Sequence, residues 1–297
     1  MTGLRIATRG SPQARTQSEV VAEHLRAAHP GLAVELVLVE TTGDRRQDVP
    51  LHVIGGQGVF VKEVQQAVLE GRADLAVHSA KDLPSTPTPG LVIGAFGARR
   101  DPRDVLIGCR LNDLPDGATV ATGSVRRRAQ LSALRPDLRF TELRGNIHTR
   151  LGQVPDGGAI VMAVAALEVL GITAAVAAAT PVDLMAVEAM VPQVGQGAVA
   201  VECASEAATT RALLSEIDHP RARWAVECER AFLAELGSGC SLPVGAHATV
   251  DAAESVCLRT FLSGPGGVHE GVHEGSRDDT SRWAAAAARL ANQAVGA

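Results

Sequence analysis

Short apolar strands alternate with amphipathic helices along most of this chain, and this alternation restricts the folds that it can adopt. The strand pattern LRIATR leads into the helix pattern SPQARTQSEVVAEHLRAAHPG, in which Ser11 is the expected N-cap and Pro12 the first helical residue. Another helix is expected at FVKEVQQAVLEG, with Phe60, Val64 and Val68 on one apolar stripe. Strands and helices in alternation predict a mostly parallel sheet covered by helices.

The alternation starts again after the polar run RRDPRD, with strands at ATVATG, LRFTEL and AIVMAV. Two similar α/β lobes are therefore expected. From about Asp218 the pattern changes to a long helix, two strands and a final alanine-rich helix, which indicates a small third domain. The run GGVHEGVHEG before that last helix is predicted to be a solvated loop, in preference to a metal site at its two His-Glu pairs.

Composition excludes several classes of function. The 297 residues carry a net charge of -5 and no polybasic tail, which argues against nucleic acid as a partner. Glu168 and Gly171 interrupt the longest apolar stretch, and no secretory signal pattern opens the chain, so neither a membrane span nor export is expected. Five cysteines without a CxxC pair indicate free thiols in a reducing cytoplasm.

Polar side chains cluster where predicted strands end and helices begin. Ligands of parallel sheets bind outside the carboxyl ends of the strands, where helix N-termini attract anions. Many of the clustered side chains are arginines, which bind carboxylates through paired hydrogen bonds. The pattern predicts a cleft between the two lobes for a ligand with many negative groups. The clustered residues are Arg9, Ser11, Lys81, Asp82, Thr122, Ser124, Arg126, Arg127, Arg144, Asn146 and Arg150.

Each cluster alone also has an ordinary structural interpretation. The Arg-Gly-Asn run at 144–146 suits a turn, and Lys81 with Asp82 suits an exposed ion pair. Consecutive arginines such as Arg128 and its neighbours suit a solvated helix face. Four clusters at the same kind of position favour a ligand site over four unrelated surface features.

These segments resemble the porphobilinogen deaminase family, also called hydroxymethylbilane synthase. RIATRGSPQA, VHSAKDLP, DPRDV, TGSVRRRAQL, LRGNIHTRL, VGQGAVAVEC and GCSLPVG follow the family's order and spacing, from Leu4 to about Gly245. The resemblance implies an α/β fold with two periplasmic-binding-protein-like α/β lobes around a cleft and a small α+β C-terminal domain. The expected domains are residues 1–97 with 197–216, residues 98–196, and residues 217–297.

The resemblance also assigns roles to residues. In this family a loop cysteine carries a covalent dipyrromethane cofactor through a thioether, and Cys240 matches it. Asp82 matches the carboxylate that stabilises positive charge on the pyrrole and moves protons. The matches to cofactor-binding positions are Lys81, Thr122, Ser124, Arg126, Arg127 and Asn146, and the matches to substrate-binding positions are Arg9, Ser11, Gln17, Arg144 and Arg150.

The implied reaction joins four porphobilinogen units head to tail onto the dipyrromethane primer, with loss of ammonia, and then releases hydroxymethylbilane by hydrolysis. A cytoplasmic monomer without a metal is implied. The GGQG run at 55–58 lacks the Lys-Ser/Thr of a phosphate loop and matches the family's mobile cover loop. The other cysteines are interpreted as packing residues, namely Cys109, Cys203, Cys228 and Cys257.

Some positions depart from the family pattern. Gln57 stands where many relatives have lysine, Gly123 replaces a serine, and Val169 stands where a carboxylate-binding arginine is expected. These departures leave open a slower enzyme or a paralogue that makes a shorter or modified oligopyrrole. A non-catalytic binding protein is a further alternative, because the two-lobed architecture also serves solute receptors. The intact motifs around Asp82 and Cys240 favour the enzyme.

Overall fold

The computed structural model describes residues 3–45, 58–237 and 242–296. The chain forms two compact units, Met1–Arg99 with Ala198–Val226 and Arg100–Gly197 with Glu227–Ala297. Each unit contains a five-stranded sheet, and the second unit also contains a three-stranded sheet. The α/β class predicted from the sequence is confirmed, whereas the division into three domains stays a prediction.

The sheet of the first unit is mixed. Its strands, numbered in chain order, are β1 (Gly3–Arg9), β2 (Ala33–Val39), β3 (Leu75–Ser79), β4 (Leu91–Phe96) and β10 (Val199–Ala204). Their spatial order is β2-β1-β3-β10-β4. β1 pairs in parallel with β2 and β3, as predicted, but β10 runs antiparallel between β3 and β4.

The first helix of this unit begins at a local signal in the sequence. Ser11 caps the first helix, since its Oγ accepts a hydrogen bond from the Ala14 backbone N–H at 3.3 Å, and Pro12 is the first helical residue. Val64 and Val68 are buried on the next long helix, as predicted, but Phe60 precedes that helix, so its expected place on the stripe was wrong. The helices are α1 (Pro12–Ala28), α2 (Thr42–Arg45), α3 (Lys62–Leu69) and α8 (Ala208–Ser215).

The second unit repeats this plan. Its strands are β5 (Asp104–Ile107), β6 (Thr119–Ala121), β7 (Arg139–Thr141), β8 (Ala159–Ala163) and β9 (Val182–Leu184), in the order β7-β6-β8-β5-β9. β6 is parallel to β7 and β8, whereas β5 is antiparallel to β8 and β9. The helices are α4 (Val125–Leu134), α5 (Ile147–Leu151), α6 (Val164–Val169) and α7 (Thr173–Ala179).

An antiparallel sheet of β11 (Val244–Val250), β12 (Ser255–Gly264) and β13 (Gly267–Ser276) follows the helix α9 (Pro220–Glu235). Helix α10 (Thr280–Val295) packs on this sheet. The prediction that GGVHEGVHEG is a loop was wrong, because all of this run after Gly266 lies in β13, which pairs with β12 over its whole length.

The four-residue repeat of β13 suits a strand for a physical reason. Successive side chains of a strand point to opposite faces, so the repeat places Val268 and Val272 on the same, exposed face. On the other face, a Cβ at Gly275 would lie 2.5 Å from Nε1 of Trp283 in α10. Glycine therefore allows the helix to approach the strand.

Among the described residues, no helix is both long enough and apolar enough to cross a membrane.

Candidate active site

The carboxyl ends of β1 and β3 lie at one edge of the first unit's sheet, because these neighbouring strands are parallel. β1 ends at Arg9, and β3 ends at Ser79, directly before a 3-10 helix over Ala80–Asp82. The structure therefore brings the predicted residues Arg9, Lys81 and Asp82 to the same edge of one sheet.

Two further predicted residues lie at this edge and already have structural partners. The hydroxyl of Ser11 accepts the capping hydrogen bond at the start of α1. Gln17 is buried, and its Oε1 accepts a hydrogen bond from the Ser79 hydroxyl at 3.2 Å. Gln17 thus connects α1 to the end of β3, three residues before Asp82.

Arg9 packs on an aromatic ring. Its guanidinium carbon lies 4.0 Å from the centroid of the Phe60 ring, which is a cation–π geometry. The sequence analysis placed Phe60 on a helix and did not connect it with Arg9. The contact restricts where the Arg9 guanidinium can lie at the edge of the sheet.

The corresponding edge of the second unit carries the predicted residues that follow β6. The hydroxyl of Thr122 accepts a hydrogen bond from the Ser124 backbone N–H at 3.2 Å. Ser124 is the N-cap of α4, and its hydroxyl accepts from the Arg127 backbone N–H at 3.4 Å. These contacts fix the turn that leads from β6 into α4.

The predicted residues that follow β7 lie around the short helix α5. Asn146 caps it, and its Oδ1 accepts hydrogen bonds from the backbone N–H and the hydroxyl of Thr149 at 3.0 and 3.1 Å. The Nε of Arg150 donates to the Gly145 carbonyl at 2.8 Å. Because β6 and β7 are parallel, Arg144 and Asn146 follow β7 at the edge where β6 also ends.

Arg126 and Arg127 are not on a solvated helix face. Arg126 is 3% exposed and Arg127 is 8% exposed, and both bind the fully buried Asp104. Asp104 Oδ2 accepts from Arg126 Nη1 at 2.7 Å, and Oδ1 accepts from Arg127 Nη2 and Nε at 2.8 and 3.0 Å. We call Asp104, Arg126 and Arg127 the buried triad.

Asp104, which lies in the motif DPRDV, was not among the predicted site residues. Asp104 is the first residue of β5 and pairs with Ala163 at the end of β8. Because β8 is parallel to β6, Asp104 lies at the carboxyl edge where the predicted binding residues follow β6. The four residues of β5 are too few to show a hydrophobic period, and the antiparallel direction of the strand could not be inferred from the sequence pattern.

Burial and charge act in opposite directions on the triad. Burial alone raises the pKa of Asp104, but the charges of Arg126 and Arg127, with hydrogen bonds from Arg126 and Gln196, outweigh burial and hold the pKa well below its ordinary value. Burial lowers the pKa of Arg126; Asp104 opposes this shift and repulsion from Arg127 adds to it. The triad therefore consists of three charged groups.

Backbone carbonyls satisfy part of the remaining hydrogen-bonding capacity of the triad. Arg126 Nη1 also donates to the Val191 carbonyl at 2.8 Å, and Arg127 Nη1 donates to the Val161 carbonyl at 3.0 Å. The Nε of Arg126 is buried and has no hydrogen-bond partner within the described part of the chain. That donor remains available for an anionic or polar group.

Glu229 of α9 is a second buried carboxylate that the sequence analysis did not single out. One of its oxygens accepts from the Gly195 backbone N–H and the other from the Ala248 backbone N–H, each at 2.7 Å. Nδ1 of His247 lies 3.5 Å from the oxygen that binds Ala248. Glu229 thereby connects α9 with β11, the elements on either side of the segment that contains Cys240.

Two positions of the sequence analysis lie outside the described residues: Cys240, matched to the cofactor attachment site, and Gln57 of the GGQG run. Among the other cysteines, Cys203 and Cys228 are buried, and burial raises the pKa of each thiol. Packing explains both. Cys109 and Cys257 are partly exposed free thiols.

Val169 is the last residue of α6 and only 6% exposed. The family motif has an arginine at this position. No group of three or more His, Cys, Asp or Glu side chains is arranged to hold a metal ion in residues 3–45, 58–237 and 242–296. Arginines lie at both sheet edges, and their guanidinium groups suit carboxylates.

Comparison with known proteins identifies the family. Residues 4–212 match the family model described as porphobilinogen deaminase, dipyromethane cofactor binding domain, and residues 224–293 match its C-terminal domain. Curated porphobilinogen deaminases from Roseiflexus castenholzii and Acidothermus cellulolyticus are 43% and 46% identical to the chain. The alignments cover 93% and 89% of this chain, and 91% and 80% of those relatives.

A solved structure of the methionine binding protein MetQ matches with a TM-score of 0.46 and 14% identity, over 76% of this chain and 91% of that one. The family assignment rests on the sequence comparisons, which span both units. The chain belongs to the porphobilinogen deaminase family.

Proposed function

We propose that this chain joins four porphobilinogen units head to tail, with loss of ammonia, onto a dipyrromethane primer held by Cys240, and releases hydroxymethylbilane by hydrolysis. The observation that carries the proposal is the match of residues 4–212 to the cofactor binding domain of the family. Relatives that align with about nine-tenths of the chain carry the same family name.

The buried triad is suited to an anionic cofactor. Two arginines face one aspartate, and the buried Nε of Arg126 lacks a partner within the described residues. A carboxylate side chain of dipyrromethane would supply both the missing charge and a hydrogen-bond acceptor. The residues proposed to hold the cofactor are Lys81, Thr122, Ser124, Arg126, Arg127 and Asn146. When bound, dipyrromethane supplies the nucleophilic pyrrole carbon to which new units are added.

Asp82 is the residue proposed to act on the reacting pyrrole. Its carboxylate stabilises positive charge that develops on the ring and accepts or returns a proton at the ring nitrogen. Asp82 is the last residue of the 3-10 helix after β3, and a place on a regular element favours a defined position during each addition.

The carboxylates of porphobilinogen require cationic and polar partners. Arg9, Arg144 and Arg150 are proposed to bind them through charge-assisted hydrogen bonds. Ser11 and Gln17 are proposed to contribute from the start of α1. The phenyl ring under Arg9 and the carbonyl that accepts from Arg150 Nε restrict the guanidinium groups of Arg9 and Arg150 before substrate binds.

A cytoplasmic location and a monomeric state are further parts of the proposal and rest on the sequence alone. Size-exclusion chromatography with light scattering tests the monomer, and cell fractionation tests the location. A dimer at micromolar concentration would contradict the former, and recovery with membranes or outside the cell would contradict the latter.

Intact mass and product analysis test the central proposal. Purified protein should be heavier than its sequence by one dipyrromethane, with the adduct mapped to Cys240, and porphobilinogen should yield a linear tetrapyrrole. Cys240→Ser should lose the adduct, whereas the control Cys257→Ser, which changes a partly exposed thiol outside the GCSLPVG motif, should keep it.

The products separate the alternatives. A shorter or modified chain would identify the paralogue considered in the sequence analysis, and absence of both adduct and product would identify a binding protein. Either result would overturn the proposed function.

A further inference from the structure

The buried triad contains an imbalance of charge. Arg126 and Arg127 contribute two positive charges and Asp104 one negative charge, so the triad carries one positive charge in excess. The three residues are at least nine-tenths buried, where an uncompensated charge is strongly unfavourable. Another anion is needed for the triad to be neutral.

Asp104 also determines how the arginines are oriented. One carboxylate oxygen accepts from two nitrogens of Arg127, and the other accepts from Nη1 of Arg126. Both guanidinium groups are therefore oriented by one shared carboxylate, together with the backbone carbonyls of Val191 and Val161. The side-chain amide of Gln196 donates to the same Oδ1 at 3.0 Å and fixes the carboxylate in turn.

Hydrogen bonds around the triad also hold the Val191 carbonyl, which accepts from Arg126, in a fixed orientation. Gln130 Nε2 donates to the Val191 carbonyl at 3.0 Å, and its Oε1 accepts from the Val191 N–H at 2.7 Å. Arg126 donates to that same carbonyl. Two hydrogen bonds from Nη1 therefore hold the guanidinium of Arg126, whose buried Nε has no partner among the described residues.

We propose that Asp104 is a positioning residue for cofactor attachment: it orients Arg126 and Arg127 and leaves one positive charge in excess, which a carboxylate of dipyrromethane neutralises. The inference rests on the proposed function. Asp104 does not contact the reacting atoms and acts through the two arginines. In a purely structural role, Asp104 would contribute to stability without affecting the rate at which the cofactor is attached.

The test follows attachment directly. Wild-type and Asp104→Asn full-length chains are prepared without cofactor, porphobilinogen is added, and the mass of the intact protein is followed with time. In the variant an amide N–H faces the donors of an arginine, so at least one guanidinium must turn away. Because loss of one partner from a buried charged pair is costly, we expect the cofactor to attach to Asp104→Asn about 10-fold more slowly than to the wild type, or slower still.

Val105→Ala is the matched control. Val105 follows Asp104 on β5, and its side chain belongs to the core on the opposite face of the sheet. This variant loses stability without changing the triad and should attach the cofactor at the wild-type rate. Melting temperatures of both variants show whether they lose comparable stability.

The outcomes are distinguishable. Attachment in Asp104→Asn at the wild-type rate, or slowing in Val105→Ala that equals the slowing in Asp104→Asn at similar stability, would overturn the proposal. Absence of an adduct in the wild type would instead overturn the proposed function. If Asp104→Asn does not fold, Asp104→Glu keeps the charge but shifts the carboxylate, and wild-type attachment in that variant would also overturn the proposal.

Discussion

The guanidinium carbon of Arg9 lies 4.0 Å from the centroid of the Phe60 ring. Arg9 is the last residue of β1, and Phe60 comes shortly before α3. The contact joins two segments that are distant in sequence and restricts a side chain proposed to bind a substrate carboxylate. An aromatic ring therefore supports the charged edge of this sheet.

Phe60→Leu keeps an apolar side chain but removes the ring. A cation–π contact at a partly exposed site contributes about 0.5–1 kcal/mol, so the KM for porphobilinogen should rise by roughly 2–5-fold. Steady-state kinetics measure this change. The control is Phe140→Leu, which removes the ring beneath Arg128, a residue outside the proposed site. An unchanged KM in Phe60→Leu would show that Arg9 does not depend on the ring.

Asp82→Asn should lower the rate of chain elongation by at least about 100-fold while the protein stays folded, because acid–base and electrostatic groups contribute roughly 100–10,000-fold. Single-turnover measurements on protein that already carries the primer separate catalysis from cofactor assembly. Asp113→Asn is the matched control, since Asp113 also ends a 3-10 helix, in the second unit. An elongation rate for Asp82→Asn within about threefold of wild type would remove Asp82 from the mechanism.

Val169→Arg restores the residue expected from the family motif, yet Val169 is 6% exposed. The larger, charged side chain must displace packed neighbours, at a cost of about 1–3 kcal/mol. We expect a lower melting temperature and no faster late elongation. Differential scanning calorimetry and mass analysis of partly extended enzyme test both points. Val169→Leu, which adds volume without charge, is the control, and faster elongation in Val169→Arg at unchanged stability would contradict the expectation.

His273 of β13 predicts a pH dependence of stability. Burial, and then the charge of His269, lower the pKa of His273 below its ordinary value. The folded state therefore binds a proton less readily than the unfolded chain, in which histidine titrates near pH 6.5. The contribution of neutral His273 to stability is complete above about pH 6.5 and is lost as the pH falls toward the folded-state pKa.

His273→Gln should accordingly flatten the decrease in melting temperature between about pH 7 and 5. Melting curves across this range measure the effect. His24→Gln, at an exposed position of α1, is the control and should retain the wild-type slope. Equal slopes in His273→Gln and the wild type would contradict the assignment.

Much of the α/β pattern was predictable because its signals are local. Ser11 and Pro12 specify the start of α1 by chemistry confined to a few residues. The position of Asp82 at the end of β3 followed from the rule that polar residues after parallel strands face ligands. In both cases neighbouring residues carried the information.

Contacts between distant segments were not predictable in the same way. The pairing of Asp104 with Arg126 depends on the antiparallel entry of β5, which no local pattern encodes. β13 was mistaken for a loop because glycine and charged residues are uncommon in strands, and its pairing with β12 outweighs that weak preference. The role of Cys240 stays a prediction.

The antiparallel strand β10 completes the sheet of the first unit but is synthesised long after the strands that it pairs with. All of Arg100–Gly197 is translated after β4 and before β10. Among the described strands, β4 joins its sheet only through β10, and β3 has β10 as its neighbour on that side. While β10 is still in the ribosome, both strands expose unpaired edges, which are surfaces that favour aggregation. The first unit can therefore complete its sheet only after Arg100–Gly197 and then β10 have been synthesised, while the rest of the second unit is still to come.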